Sequence, residues 1–383
     1  MKGHIRQRGR SSWAVVVDLS PDPATGKRRR KWYSVKGGKR AAQRELNRVL
    51  HELDEGNHVE PSRLTVGEYL DSWLEDHARH AVSAKTFERY AEIVRKHLIP
   101  ALGARPIAKL APIEVQAYYG KALAEGRRRA AGGLSAQTVK HHHRVFSQAL
   151  RQAVRLQLLQ RNPCDAVDPP RPVRREMQTL DYEQSAALLK AAEGGRSYLP
   201  ILLALTTGMR RGEILGLRWR DVDLKHGVLS VAQTLEQTQD GLDFKAPKTP
   251  RSRRSIELTE TTILALRTHR ARQAEEKLRA GRAWHDHDLV CARELGEPMI
   301  PRDLTKAFQR LCRREGFMLR FHDLRHTHIS HLLAEGTHPK IASERAGHAS
   351  VAVTLDVYSH VIPGMQRDAA DKVDAALRRA LEE

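Results

Sequence analysis

Four short stretches in the C-terminal half hold side chains whose types and spacing suit chemistry on an anion. The first is T-T-G-M-R-R-G-E, residues 206–213. Gly208 is expected to break one helix, Arg210 to fall at the junction, and Glu213 to lie one turn into the next. A guanidinium beside a helix N-terminus suits an oxyanion, because free backbone N–H groups point the same way. The second is Lys248, in K-A-P-K-T-P-R-S-R-R-S-I, on or beside an expected hairpin. The third is F-H-D-L-R-H-T-H, where His322 and Arg325 stand three apart and share one helical face. The fourth is A-G-H-A-S-V-A-V-T-L-D-V-Y, where Gly347 ends a helix, His348 sits in the turn and Tyr358 falls on the next helix. Taken singly, each has an ordinary alternative: a surface ion pair, a chance His–Arg spacing, a half-packed tyrosine.

Histidines raise the question of a metal. His322, His326, His328 and His331 lie within ten residues, and His322-x3-His326 could ligate zinc. The stretch is not H-E-x-x-H, however, and no third carboxylate or cysteine ligand stands nearby. No metal is therefore expected, and His326, His328 and His331 read as helix-packing or phosphate-proximal residues. The run His141–His143 has no metal-ligand partner spacing and reads as helix surface.

The elements that must carry these residues follow from pattern. Asp181-x-x-Gln184 is a helix start. A hairpin is expected over about Val228–Leu235 with a turn at Asp240-Gly241, and a strand near Arg253–Leu258. The tail from about Met365 to Glu383 reads as an amphipathic helix with Val373, Ala376, Leu377 and Leu381 as its stripe. It is expected to dock on a neighbouring protomer; packing on its own domain is the alternative.

Upstream, residues 11–19 and Lys31–Val35 read as paired strands joined by the turn residues P-D-P-A-T-G, followed by a helix from Lys39 to about Leu53. Arg6, Arg8, Arg10, Lys27, Arg28, Arg29 and Arg30 surround this small sheet, and a β-ribbon can enter a DNA major groove. A basic capping domain is the alternative. Four helices come next: one capped by Thr65-x-x-Glu68, one from after Ser83 to about Leu98, stopped by Pro100 and Gly103, one from Pro112 to Ala124, and one from Ser135 to about Leu159. Lys85, Arg89, Arg95, Lys96 and Lys140 lie along helix faces and could meet phosphates; each could equally be a solvated surface charge. Residues 161–178, with four prolines and four arginines, read as an extended basic linker.

The expected architecture is thus multidomain and mainly α. A small α+β DNA-binding domain spans 1–58, an all-α helical domain 62–160, the linker 161–178, and a mainly α catalytic domain with a small β-hairpin 179–383. The chain of 383 residues carries a formal charge of +20. Of this, +17 lies in residues 1–175 and only +3 in residues 176–383. Such an excess of cations points to a polyanionic partner, most often nucleic acid, gripped mainly by the N-terminal part. Three scattered cysteines argue against a disulfide framework and for a reducing cytoplasm, and no apolar run is long enough for a membrane span.

Together the four stretches resemble the signature of the tyrosine site-specific recombinases of the phage integrase type. That signature is an Arg in T-G-x-R, a hairpin Lys, an H-x-x-R, a G-H, and a Tyr about ten residues later. Here these read Arg210, Lys248, His322 with Arg325, Gly347-His348, and Tyr358. The match covers about 176–375 with specific motifs; upstream only the layout of an arm-binding and a core-binding domain is shared. The resemblance implies that Arg210 and Arg325 clamp the scissile phosphate and that Tyr358 attacks it to form a 3′-phosphotyrosine. It makes Lys248 the general acid, and has His322 and His348 bind the phosphate, one of them taking the tyrosine proton. Glu213 is expected to orient the site.

This chemistry conserves the phosphodiester bond energy and needs no cofactor. The expected partners are double-stranded DNA at core and arm attachment sites and a homotetramer passing through a Holliday junction. A directionality factor and a host DNA-bending protein are also expected, with no membrane involved. The setting would be the bacterial cytoplasm, at the nucleoid. Two other readings stay open at this point: a type IB topoisomerase-like relaxing enzyme, and a non-catalytic DNA-binding regulator.

Overall fold

The structure is a computed structural model, and it describes residues 3–19, 29–54, 63–128, 130–173, 177–247, 253–348, 350–358 and 365–382. The chain divides into two compact units, Met1–Arg174 and Arg175–Glu383.

The first unit holds two separate apolar cores. One belongs to a three-stranded antiparallel sheet, β1 (Gly3–Gly9), β2 (Ser12–Leu19) and β3 (Arg29–Lys36), with helix α1 (Lys39–Asp54) on one face. Side chains alternate across a strand. So Val15 and Val17 meet Ala42, Leu46 and Val49 of α1, with Ile5, Tyr33 and Val35 at the margin. The first strand was not anticipated: its sequence, G-H-I-R-Q-R-G, holds one apolar residue, and pairing with β2 rather than propensity makes it a strand.

The second core is helical. Thr65 caps α2 (Val66–Ser72), its hydroxyl accepting from the Glu68 amide at 3.2 Å while the Glu68 carboxylate accepts the Thr65 amide at 2.8 Å. The helix continues through a widened π-turn, Trp73–Ala78. Next comes α3 (Ala84–Ile93), which continues through a second π-turn, Val94–Leu98, into Ile99–Leu102. Pro100 therefore does not stop this helix as expected. A proline lacks the N–H and crowds the carbonyl four residues back, and the widened turn just before it makes the room. Helices α4 (Pro112–Glu125) and α5 (Ala136–Arg155) complete the bundle. The start of the stretch expected to be linker is packed instead: Asn162 caps a 3-10 turn, Pro163–Ala166, and Cys164 is buried in the helical core.

The second unit is built around α7. In order come α6 (Tyr182–Ala192), α7 (Tyr198–Thr207), α8 (Arg211–Leu215), the strands β4 (Val222–Asp223), β5 (Val228–Ser230), β6 (Thr234–Thr238), β7 (Gly241–Lys245) and β8 (Ser255–Glu257). Then follow α9 (Glu260–Ala280), α10 (Pro301–Arg314), α11 (Asp323–Ala334), α12 (Pro339–Ala346), α13 (Val351–Tyr358) and α14 (Met365–Glu382). Asp181 and Gln184 do cap α6 reciprocally. Helix α7, Y-L-P-I-L-L-A-L-T-T, is apolar on nearly every side and buried on nearly every side, as a central helix must be. The strands form two small antiparallel sheets, β4-β5-β8 and β6-β7, so the expected single hairpin is split between them. No helix among the described residues is long and apolar enough to cross a membrane. In α14, Val373, Leu377 and Leu381 are 60, 57 and 84 % exposed.

Candidate active site

Three chain reversals in the second unit bring Arg210, His322, Arg325 and His348 together. Helix α7 ends at Gly208, which takes the left-handed conformation at φ 64°. The chain turns at once and α8 begins with Arg210 at its N-cap, where the Glu213 carboxylate accepts the Arg210 amide at 2.9 Å. That bond fills one of the donors a helix start leaves open. The same carboxylate accepts from Arg210 Nη1 at 2.9 Å, so Glu213 both starts the helix and aims the guanidinium.

The second reversal precedes α11. Asp323, 2 % exposed, accepts the Arg320 amide at 2.8 Å and the Arg320 guanidinium. This fixes the turn that presents His322 at the N-cap of α11. Arg325 follows and is 2 % exposed; it donates from Nη1 to the Gly208 carbonyl at 2.6 Å. A guanidinium held this way joins the end of α7 to the start of α11.

The third reversal follows α12, which ends on Gly347 at φ 66°, again left-handed. Arg210 Nη2 donates to the Gly347 carbonyl at 2.9 Å, which binds the first reversal to the third. His348 comes next, half-buried, its Nδ1 2.8 Å from the hydroxyl of the fully buried Thr354 on α13. Since Nδ1 is engaged, Nε2 is the ring nitrogen left for a ligand. Tyr358 is the last residue of α13, one helical turn beyond Thr354.

Both predicted histidines are shifted below the usual imidazole range. Partial burial first, then Arg325, Arg210, His326 and His322, push His348 down to about 4. Enclosure, then His326, Arg325 and Arg210, lower His322 to about 4 as well. His322 is nevertheless an exposed residue, and water screens part of this effect. These mutual influences place Arg210, His322, Arg325 and His348 around one small region, with His326 against His322 at 5.0 Å between ring centroids. Lys248 lies outside the described residues, as does the side chain of Tyr358.

Glu213 is buried at 4 % exposure. Burial alone would raise its carboxyl, but hydrogen bonds and charge from Arg254, together with Arg210, outweigh that and hold it below the usual carboxylate range. Arg254, just ahead of β8, was not singled out from its basic run, and neither was Thr354. No sequence signal separates Arg254 from the exposed Arg253; only its burial does.

The remaining histidines of α11 are structural. His328 bonds through Nδ1 to the Leu205 carbonyl at 2.8 Å, and its Nε2 accepts from Arg345. His331 bonds to the Leu180 carbonyl and stacks on Tyr182 at 4.1 Å. Among the described residues no group of three His, Cys, Asp or Glu is arranged to hold a metal ion. In α5, His142 and His143 are not the surface read from their run: they hydrogen-bond Tyr118 and Tyr119, each at 2.7 Å, and His142 is 1 % exposed.

Of the basic residues assigned to DNA, Arg6 and Arg8 are exposed on β1, and Arg10 in the turn after it. Arg6 and Arg8 stand on the sheet face opposite α1, where Arg8 lies over the exposed Trp32 ring at 5.3 Å. Arg30 pairs with Asp18 at 2.8 Å. Arg29 is in β3, while Lys27 and Arg28 lie outside the described residues. In the helical domain, Lys85 and Arg89 form exposed ion pairs with Glu88 and Glu92, as do Arg95 and Lys96 with Glu75 and Glu92. Lys140 is half-exposed on α5.

Residues 178–364 match the phage integrase family, and residues 65–123 match the phage integrase N-terminal SAM-like domain. A XerC-like tyrosine recombinase of Caldanaerobacter subterraneus subsp. tengcongensis is 28% identical over 97% of this chain and 98% of its own. The ICEBs1 integrase of Bacillus subtilis is 25% identical over 97% of this chain and all of its own. Among solved structures, the Tn1549 transposon integrase in complex with circular intermediate DNA superposes with TM-score 0.67 at 21% identity, covering 81% of this chain and 99% of that one. A lambda integrase tetramer on a Holliday junction superposes with TM-score 0.57 at 19% identity, covering 90% and 95%. The chain belongs to the phage integrase family of tyrosine site-specific recombinases. It is an enzyme that cuts and rejoins DNA in site-specific recombination.

Proposed function

We propose that this recombinase integrates and excises a mobile element through a covalent 3′-phosphotyrosine intermediate on Tyr358. The observation that supports this best is the convergence of Arg210, His322, Arg325 and His348 from three separate reversals, with α13 leading directly from His348 to Tyr358. Arg210 and Arg325 would hold the non-bridging oxygens and stabilise the charge that builds on the pentavalent phosphorus. The Tyr358 oxygen attacks phosphorus and the bond to the 5′-oxygen breaks. The tyrosine proton passes to a neutral imidazole, His348 or His322, and Lys248 protonates the departing 5′-oxygen. Rejoining is the reverse step, with a 5′-hydroxyl of the partner duplex as nucleophile. Glu213 orients Arg210 rather than reacting.

Residues 1–58 would hold arm sites through the open sheet face of Arg6 and Arg8, with Arg10, Lys27, Arg28, Arg29 and Arg30 around it. Residues 62–160 would hold the core site through Lys85, Arg89 and Lys140. The surface ion pairs of Lys85 and Arg89 are worth only about 0.5 kcal/mol, so a phosphate can displace the glutamates. The catalytic domain, 179–383, would be joined to these through the basic stretch that ends at 178. Four copies would assemble on two duplexes, as lambda integrase does on a Holliday junction. The exposed Val373, Leu377 and Leu381 of α14 would dock on a neighbouring copy. A directionality factor and a DNA-bending protein would complete the assembly at the nucleoid.

The test is a nicked duplex carrying the core sequence that the protein itself selects from random DNA. The native protein should become covalently attached, and Tyr358→Phe should bind the duplex equally well but form no adduct. An adduct that persists in Tyr358→Phe overturns the assignment. Relaxation of a plasmid without exchange between sites would favour the topoisomerase-like reading.

A further inference from the structure

We infer that Arg254 is a positioning residue of the recombination site, acting through Glu213 on Arg210 and through the α12 terminus on His348. The inference rests on the assignment of Arg210 and His348 proposed above.

Arg254 has a buried side chain, 7 % exposed, and every polar arm of its fork that the geometry resolves is engaged. Nη2 donates to Glu213 Oε2 at 2.9 Å and Nη1 to Oε1 at 3.4 Å, a two-point grip on one carboxylate. Nε donates to the Arg345 carbonyl at 2.8 Å. The guanidinium lies so close beneath Gly347 that a Cβ there would stand 3.0 Å from Nη1. Arg210 completes a ring: it donates to the same Glu213 and to the Gly347 carbonyl. Two arginines thus hold one carboxylate and two carbonyls of the turn that carries His348.

Electrostatics gives the arrangement a purpose. A buried carboxylate facing Arg210 alone would neutralise it and draw it away from a phosphate. Arg254 takes up the Glu213 charge, so the cluster of two guanidiniums and one carboxylate keeps one net positive charge. Arg210, with the more exposed side chain at 40 %, is the one able to present it. Lysine cannot substitute, because a point charge reaches one carboxylate oxygen and leaves the Arg345 carbonyl unheld.

Single-turnover adduct formation on the self-selected nicked duplex tests this in a double-mutant cycle. Arg254→Gln should slow cleavage by about 100-fold, the scale of a small misplacement of a catalytic group. Binding to the duplex should be unchanged. In an Arg210→Lys background the same substitution should cost far less, since both changes remove one placement. If Arg254→Gln melts early, Arg254→Lys, which keeps the buried charge, is carried through the same cycle. Losses that multiply independently in the two backgrounds, or cleavage at the native rate, overturn the inference. A native protein that forms no Tyr358-dependent adduct overturns the site assignment instead.

Discussion

His348 and Thr354 are joined by a 2.8 Å hydrogen bond between Nδ1 and a hydroxyl that has no exposure to solvent. Six residues apart, they tie the turn after α12 to the middle of α13, the helix that ends in Tyr358. The bond selects which imidazole nitrogen can meet a ligand. Thr354→Val keeps the shape and removes the partner. It is expected to slow adduct formation by about 10- to 100-fold with unchanged DNA binding, on the scale of removing one acid–base or orienting contact. Thr354→Ser should recover most of the rate. Equal rates for the Val and Ser variants would show that only packing matters there.

Gly208 can be only glycine. Its φ is 64°, and a Cβ would lie 2.6 Å from His328 Cδ2 on a ring pinned at both nitrogens. Gly208→Ala should lose at least the 1–2 kcal/mol of a left-handed non-glycine residue, about 2–8 °C in the melting of the C-terminal unit. Because the Gly208 carbonyl anchors Arg325, adduct formation should fall with it. A variant that melts and cleaves normally contradicts this account.

Two buried histidines set an acid limit on stability. Burial first, then His97 and Arg89, push His142 down to about 4, and burial with Arg345 pushes His328 down to about 3. Each is neutral in the fold, while the unfolded chain takes up its proton near 6.5. Between these values the unfolded state binds more protons, so stability rises with pH across about 4 to 6.5 and levels off above. Thermal unfolding at fixed ionic strength should trace that slope, and His142→Gln should flatten the part due to the N-terminal unit. A profile flat from pH 4 to 6.5 would contradict the neutral assignment.

The open face of the N-terminal sheet makes a prediction about salt. If Arg6 and Arg8 each neutralise one phosphate, Arg6→Gln with Arg8→Gln should reduce the slope of log affinity against log salt by about 2. The melting temperature should not move, because both side chains are exposed. An unchanged slope would place the DNA elsewhere.

The short motifs were legible because each is a local device. T-G-M-R places a glycine where a helix must reverse and an arginine at the next helix start, and G-H does the same after α12. The caps Thr65–Glu68 and Asp181–Gln184 were equally plain, since both partners lie within four residues. Strand β1 was not legible: its side chains carry no apolar alternation, and it exists only because β2 offers an edge. Nor was the helix through Pro100, which depends on a widened turn rather than on propensity.

By itself the sequence determined the order of helices, the reversals at Gly208 and Gly347, the inventory of cations for a phosphate, and the tyrosine that follows them. It did so because turns, caps and periodicity are set by neighbours a few residues apart. Only the tertiary structure decided which of several arginines is buried against Glu213. It also separated the structural histidines of α11 from those beside Arg210, and gave Thr354 its partner. The first two choices depend on which surfaces lose water when segments 40 to 140 residues apart meet, and the third on how the turn after α12 folds back on α13; desolvation of that kind leaves no local mark in the chain.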